Sequence, residues 1–275
     1  MTEPRDESIR AERIVVAFDT SPLGDAALEA AAALAAALGA EIAGLFVEDL
    51  DLVRMAALPF TRELGLISAV TRPIDTPDIE RAFRLQAQQT RGTLEALAAE
   101  LNLRWSFQII RGQVLSAVME CVREPDVVVF GKAAHGAAAR SAWPELMGSR
   151  RRGPFSRLAV RPVAVLFDDS PRAWRTLAAA HSLAGEAGAR LALLIPARST
   201  KEFEQLRDRA KKWLVAQDAA ARFVRLKSRE AGEVARAVSS EHAAVLLWHD
   251  EDARGEQRGF RALIGALRCP LVLVT

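Results

Sequence analysis

Two aspartates, Asp19 and Asp168, each follow a short apolar run, IVVAF and VAVLF, and stand two residues ahead of a Ser-Pro pair. A carboxylate at the carboxyl end of a buried strand is an acceptor placed where open α/β sheets hold their ligands. Glycines follow another apolar run: Gly131 closes DVVVFG, Gly136 comes next, and Gly148 lies beside Ser149. Loops of that kind can turn backbone N–H groups toward an anion. Arg150, Arg151 and Arg152 could add charge to such a cradle, although runs of this sort more often form a solvated face or a linker.

Other chemistry finds few residues to carry it. His135, His181, His242 and His249 sit at no metal-ligand spacing. His249 with Asp250 and Asp252 comes nearest to a cation site, and a solvated loop is the expected reading there. No G-x-S-x-G, H-E-x-x-H or C-x-x-C occurs, and no general acid–base pair can be nominated. A non-enzymatic protein is expected. FDTSPLGD (18–25) is similar in outline to the S-G-G-x-D-S loop of ATP pyrophosphatases, but Pro22 removes an N–H that such a loop needs.

The elements that position these residues come in two copies. RIVVAFDTSP (13–22) returns as PVAVLFDDSP (162–171), and the same offset of 149 carries Asp19 to Asp168 and Gly39 to Gly188. Each copy opens with a buried-strand run, followed by Ser-Pro as N-cap and first helical residue. An alanine-rich helix follows and stops at Gly39 or Gly188. A second strand is expected over 41–47 and again over 190–195. Thr76-Pro77-Asp78 opens a helix to about Leu101, then WSFQII (105–110) reads as a strand, 114–122 as a helix and DVVVFG as a strand buried on both faces. RFVRL, EVARAVSS and AAVLLW repeat that series, and PLVLVT is a last strand. Matching Val128 to Val245 makes the first copy about 32 residues longer, all of it between Val47 and its third strand.

The expected architecture is α/β: two tandem doubly wound parallel-sheet domains, Rossmann-like, forming an intramolecular pseudo-dimer. The expected boundaries are a disordered polar tail over 1–12, a first domain over 13–160 and a second over 161–275. The 275 residues suffice for two cores, and a net charge of +2 gives no reason to expect nucleic-acid binding. Cys121 and Cys269 are too few for a disulfide framework, and the polar start MTEPRDESIRAER marks no export, so a cytoplasmic location is expected. The longest apolar stretch, Ala26 to Val47, contains Glu29, Glu41 and two glycines; it reads as helix then strand, with no membrane span.

VAFDTSPLGDAALEAAAALAAALGAEIAGLFVED and VVVFG resemble the opening segment and the fourth strand of the universal stress protein family, in its tandem form. The resemblance spans nearly the whole chain twice and is clearer in the first copy. It implies a five-stranded parallel sheet flanked by helices in each half, and a role in stress survival. It also implies ATP or AMP as the cofactor, with Asp19 on the base, Val47 ending the second strand, and phosphates in a G-x2-G-x9-G-[ST] loop. From Gly131 that pattern calls for glycines at 134 and 144 and a hydroxyl at 145. The sequence has Ala134, Pro144 and Glu145, with Gly136, Gly148 and Ser149 displaced. In the second copy WHDEDARGEQRG places four carboxylates where phosphates would lie, Asp169 adjoins Asp168, and Pro196 replaces Val47. That half is expected to be a structural partner.

Two registers compete after Gly131. In one, Gly148-Ser149 opens the last helix of the first half. In the other, which the internal repeat favours, RRGPFSRLAV aligns with LRCPLVLVT, Gly148 ends the helix, and Phe155 to Val160 is the fifth strand. The extra segment Glu48 to Val70 is rich in apolar residues, among them Leu52, Val53, Met55, Leu58 and Phe60. It is expected either to form a lid or a hydrophobic surface for a ligand or partner, or to pack as a short helix over the sheet edge or the other domain. Two functions stay open. One is a stress-response protein acting through a protein partner or a ligand, with nucleotide binding weakened or lost. The other is an ATP- or AMP-binding switch using the first half alone. A further pairing of whole chains into a homodimer stays open too.

Overall fold

The structure, a computed structural model, describes residues 11–18, 25–58, 60–64, 71–73, 76–122, 126–131, 155–249 and 257–275. The first half runs β1 (Arg13–Phe18), α1 (Asp25–Leu38) and β2 (Glu41–Asp49), then the short α2 (Leu50–Ala56) and a hairpin of β3 (Arg62–Leu64) and β4 (Thr71–Pro73). It continues with α3 (Thr76–Glu100), β5 (Trp105–Gly112), α4 (Val114–Cys121) and β6 (Val127–Phe130). A one-turn helix, α5 (Ser156–Ala159), precedes the second half: β7 (Val163–Leu166), α6 (Pro171–Ala187), β8 (Leu191–Pro196), α7 (Thr200–Ala216) and β9 (Ala221–Leu226). Helix α8 (Ala231–Ser240), β10 (Val245–His249), α9 (Gln257–Ala266) and β11 (Leu271–Val274) complete it.

The local chemistry works as the sequence suggests. Ser170 accepts a hydrogen bond from the Ala173 N–H with Pro171 at the first helical position. Gly39 and Gly188 follow α1 and α6 at φ of +62° and +65°, a conformation that costs a glycine little. The expected Ser21-Pro22 cap of α1 lies outside the described residues.

All main strands join one 9-stranded sheet in the order β5-β2-β1-β6-β11-β10-β7-β8-β9. Every pairing is parallel except β6 with β11, which is antiparallel and matches Val127 with Val274 through Phe130 with Leu271. Both faces of the central strands are covered. Ile14, Val16 and Phe18 enter a core under α1, α3, α6 and α7, while Val15 and Ala17 enter one under α4, α8 and α9. The central runs are apolar throughout because neither of their faces meets water, whereas the edge strands β5 and β9 carry exposed residues. The first of these cores is continuous across the halves: α1 packs on α6, and Ala27, Ala30, Ala31, Ala179 and Ala180 are all buried. Small side chains let the two helix backbones approach closely, which accounts for the alanine-rich stretch. Among the described residues no helix is long and apolar enough to cross a membrane.

One expectation is overturned. Phe155 to Val160 is not a fifth strand: residues 156–159 form α5, which packs against α1 and α6. Leu158 is 1% exposed there and its N–H donates to the carboxylate of Glu29 on α1, while Val160 is 73% exposed. The place beside β6 that a fifth strand would take is held by β11 of the other half. Among the described residues the first half thus contributes four strands to the main sheet and the second half five, against the five in each that the resemblance implied. The additional length of the first copy lies mainly in α2, the β3–β4 hairpin and a longer third helix.

Leu158→Ala should cost about 2–4 kcal/mol of stability in urea unfolding, whereas Val160→Ala should stay within about 0.5 kcal/mol. In a strand those two side chains would share a face, so similar costs would contradict the helix.

Candidate functional site

In a doubly wound sheet the ligand crevice opens at the carboxyl ends of the strands, where the strand order reverses. Here that is between β1 and β6 in the first half and between β7 and β10 in the second.

The second crevice is filled by its own side chains. His249, the last residue of β10, is fully buried, and its Nε2 lies 3.1 Å from Oδ1 of Asp168, just past β7. The same oxygen accepts from the Ser170 hydroxyl at 2.7 Å and from the Ser170 N–H at 3.2 Å. The other oxygen, Oδ2, takes Nη1 of Arg229 at 2.7 Å. Nη2 of that guanidinium donates to the His249 carbonyl at 3.3 Å, and its carbon stands 5.4 Å from the ring centre of Trp248. Asp169, at a left-handed φ of +68°, turns the other way, accepting from Trp174 Nε1 at 3.1 Å and pairing with Arg209.

Burial by itself would raise the pKa of Asp168. Hydrogen bonding and charge from His249, with both donors of Ser170, outweigh it and hold the carboxyl well below the usual carboxylate range. Asp168, Ser170 and His249 are the residue types of a nucleophilic triad, but the geometry is not one. The carboxylate and the hydroxyl both face Nε2, which must carry a proton to meet the carboxylate. The Ser170 proton goes to Asp168 and its oxygen caps α6, so no base is left to activate it.

His249 was expected in a solvated loop; burial in the crevice corrects that. Asp250, Asp252 and the other loop carboxylates lie outside the described residues. Among the described residues no group of three or more His, Cys, Asp or Glu side chains could hold a metal ion. His181 packs edge-on against Trp213, and His242 follows the end of α8 at φ +52°. Neither Cys121 nor Cys269 forms a disulfide.

The first crevice is built differently. Val47 is fully buried and does not end its strand: β2 runs on through Glu48 and Asp49, paired with Arg111 and Gly112 of β5. Glu48 holds Arg111 at 2.8 Å, Arg111 reaches Glu80 at 3.6 Å, and Asp49 accepts from the Asp51 N–H to start α2. Gly131 follows β6 and is half-buried. Asp19, Gly136, Gly148, Ser149 and the three arginines lie outside the described residues, as does the choice between the two registers for Gly148. In the extra segment, Leu52 and Val53 pack on the core, while Met55, Leu58 and Phe60 are exposed.

The two crevices differ most where the sequence had given least notice. Ile14 pairs with Val127 as Val163 pairs with Val245, so Gly131 occupies the place of His249. Two residues before the following helix, the first half has Gly112 and the second Arg229. The two side chains that close the second crevice are therefore glycines in the first. Arg229 and Trp248 escaped the sequence reading: matching Val128 to Val245 sets Gly112 opposite Arg229 but Gly131 opposite Trp248, and the strand pairing moves that match by one residue, to Val127 opposite Val245.

Asp168→Asn should lower stability by about 2 kcal/mol at neutral pH. A carboxyl whose folded pKa is depressed stabilises above its unfolded value and loses that contribution as pH falls toward the folded one. The gap between the two proteins, followed by urea unfolding, should be full at pH 6 and shrink below about pH 4. A gap independent of pH would exclude the ionic network.

No family model matches the sequence, and no curated protein does. Solved structures do. A universal stress protein from Archaeoglobus fulgidus DSM 4304 superposes with a TM-score of 0.57 at 11% identity, over 97% of both chains. A protein of the universal stress protein family from Burkholderia pseudomallei is 22% identical over 43% of this chain and 97% of its own, with a TM-score of 0.34. Another universal stress protein from Archaeoglobus fulgidus gives 13% identity over 42% and 93%, with a TM-score of 0.35. The full-length likeness, together with the tandem βα series, shows that the chain has the universal stress protein fold, in a two-halved form whose halves share one sheet.

Proposed function

We propose that this is a non-enzymatic stress-response protein that acts by binding, with one nucleotide site per chain, in the first half. The observation that carries the reading is the exchange of His249 and Arg229 for Gly131 and Gly112. The second crevice answers its own aspartate with a histidine and an arginine, and the first has no side chain at either place. The ligand class follows from the resemblance: ATP or AMP, with Asp19 on the base or ribose and the loop from Gly131 through Gly136 to Gly148 and Ser149 near the phosphates. The second half serves as scaffold for that site. In the triad-like trio of that half no base faces the serine hydroxyl, which supports a binding role over hydrolysis.

A second reading rests on Met55, Leu58 and Phe60, which are 49%, 60% and 92% exposed on the extra segment. In that reading no nucleotide binds and the segment meets a protein partner.

Acid denaturation of the purified protein, followed by chromatography of released small molecules, separates the two. About one equivalent of ATP or AMP per chain is expected. Asp19→Ala and Gly131→His should each weaken nucleotide binding at least tenfold in calorimetry, and Asp168→Ala should leave it within about twofold. No released nucleotide together with no heat on adding millimolar ATP would overturn the one-site reading in favour of the surface.

A further inference from the structure

The network around Asp168 divides its work between two oxygens. Oδ1 is held by three donors, from His249 and Ser170, which fixes the plane of the carboxylate. Oδ2 is left for Arg229. Around that guanidinium stand a fixed carboxylate, the His249 carbonyl and the face of Trp248, while the Arg229 side chain itself remains 39% exposed. Trp248 and His249 are both more than nine-tenths buried, so two walls of the cage are rigid. A carboxylate, a carbonyl and an aromatic face are the groups that recognise a guanidinium, by charge, N–H donation and cation–π attraction. The arginine enters from the connection between β9 and α8, at the exposed side of the cage.

We propose that the crevice between β7 and β10 is a binding site for a guanidino group, loaded in this chain by its own Arg229. A small guanidino compound is its class of outside ligand. Such a ligand competes with a side chain that the fold already holds in place, so Arg229 sets the threshold for entry. Anionic ligands do not fit that place, since the group they would meet once Arg229 is displaced is the Asp168 carboxylate. The site is independent of the proposed nucleotide site in the first half, and either can fail without the other.

Chemical rescue tests it. Arg229→Ala leaves Asp168 without its cation and should lower the thermal midpoint. Methylguanidinium at about 50 mM should then raise the midpoint of the variant by about 2–3 °C over sodium chloride of equal ionic strength. The unsubstituted protein, already loaded, should not respond, and neither should Arg229→Ala combined with Asp168→Asn. Arg229→Gln, which keeps its stem beside Trp248, takes the same measurement if Arg229→Ala does not fold. No rescue of the single variant, or an equal shift in all three proteins, overturns the site.

Discussion

The backbone groups on the outer side of β6 must be hydrogen-bonded, and much of this structure follows from how that is done. A buried strand edge without partners would leave several N–H and carbonyl groups unsatisfied, each costing about 1–3 kcal/mol. The segment that the repeat would place there forms α5 instead. The edge is met by β11, running antiparallel, so two domains become one sheet. That junction sets α1 beside α6, merges the cores on one face, and leaves a gap that Leu158 fills from α5 under the cap of Glu29. Arg13 donates to Asp126 at the amino end of the same sheet, and the Thr275 hydroxyl donates to the Asp126 carbonyl, fastening the junction at its rim.

Within that shared frame the two crevices have gone separate ways. One gains an arginine and a histidine that answer an aspartate at close range; the other keeps glycine at both places. The change needs no movement of the sheet, because the residues sit at strand ends and helix entries, where side chains project into the crevice without altering the pairing. A tandem chain can afford this, since each half has its own version of every position.

What was legible in the sequence was governed by neighbours in the chain. Ser170-Pro171 caps a helix, Gly39 and Gly188 take positive φ, and the apolar runs become strands, because those outcomes depend on a few adjacent residues. What escaped depends on distant partners. His249 stands before a strongly charged loop and reads as solvated, yet it is buried, with Asp168, 81 residues away, accepting its hydrogen bond. Val47 reads as a strand end, but pairing with β5 carries β2 on to Asp49. Phe155 to Val160 aligns with a true strand, but the edge it would join is taken by β11, and Leu158 is buried from a lone turn instead. The candidate nucleotide loop sits where the repeats diverge most, so neither copy could instruct the other.

The shared sheet also bears on how the chain is made. The Asp126 carbonyl and the Thr275 hydroxyl that meet at the junction are 149 residues apart. At ordinary rates of synthesis, β6 leaves the ribosome roughly 10–30 seconds before β11 exists to cover it. For that interval the first half carries an open, apolar strand edge, the kind of surface to which chaperones and stray strands attach. Completion of the nascent first half is thus deferred until the second has been translated, and the two halves mature together rather than in turn.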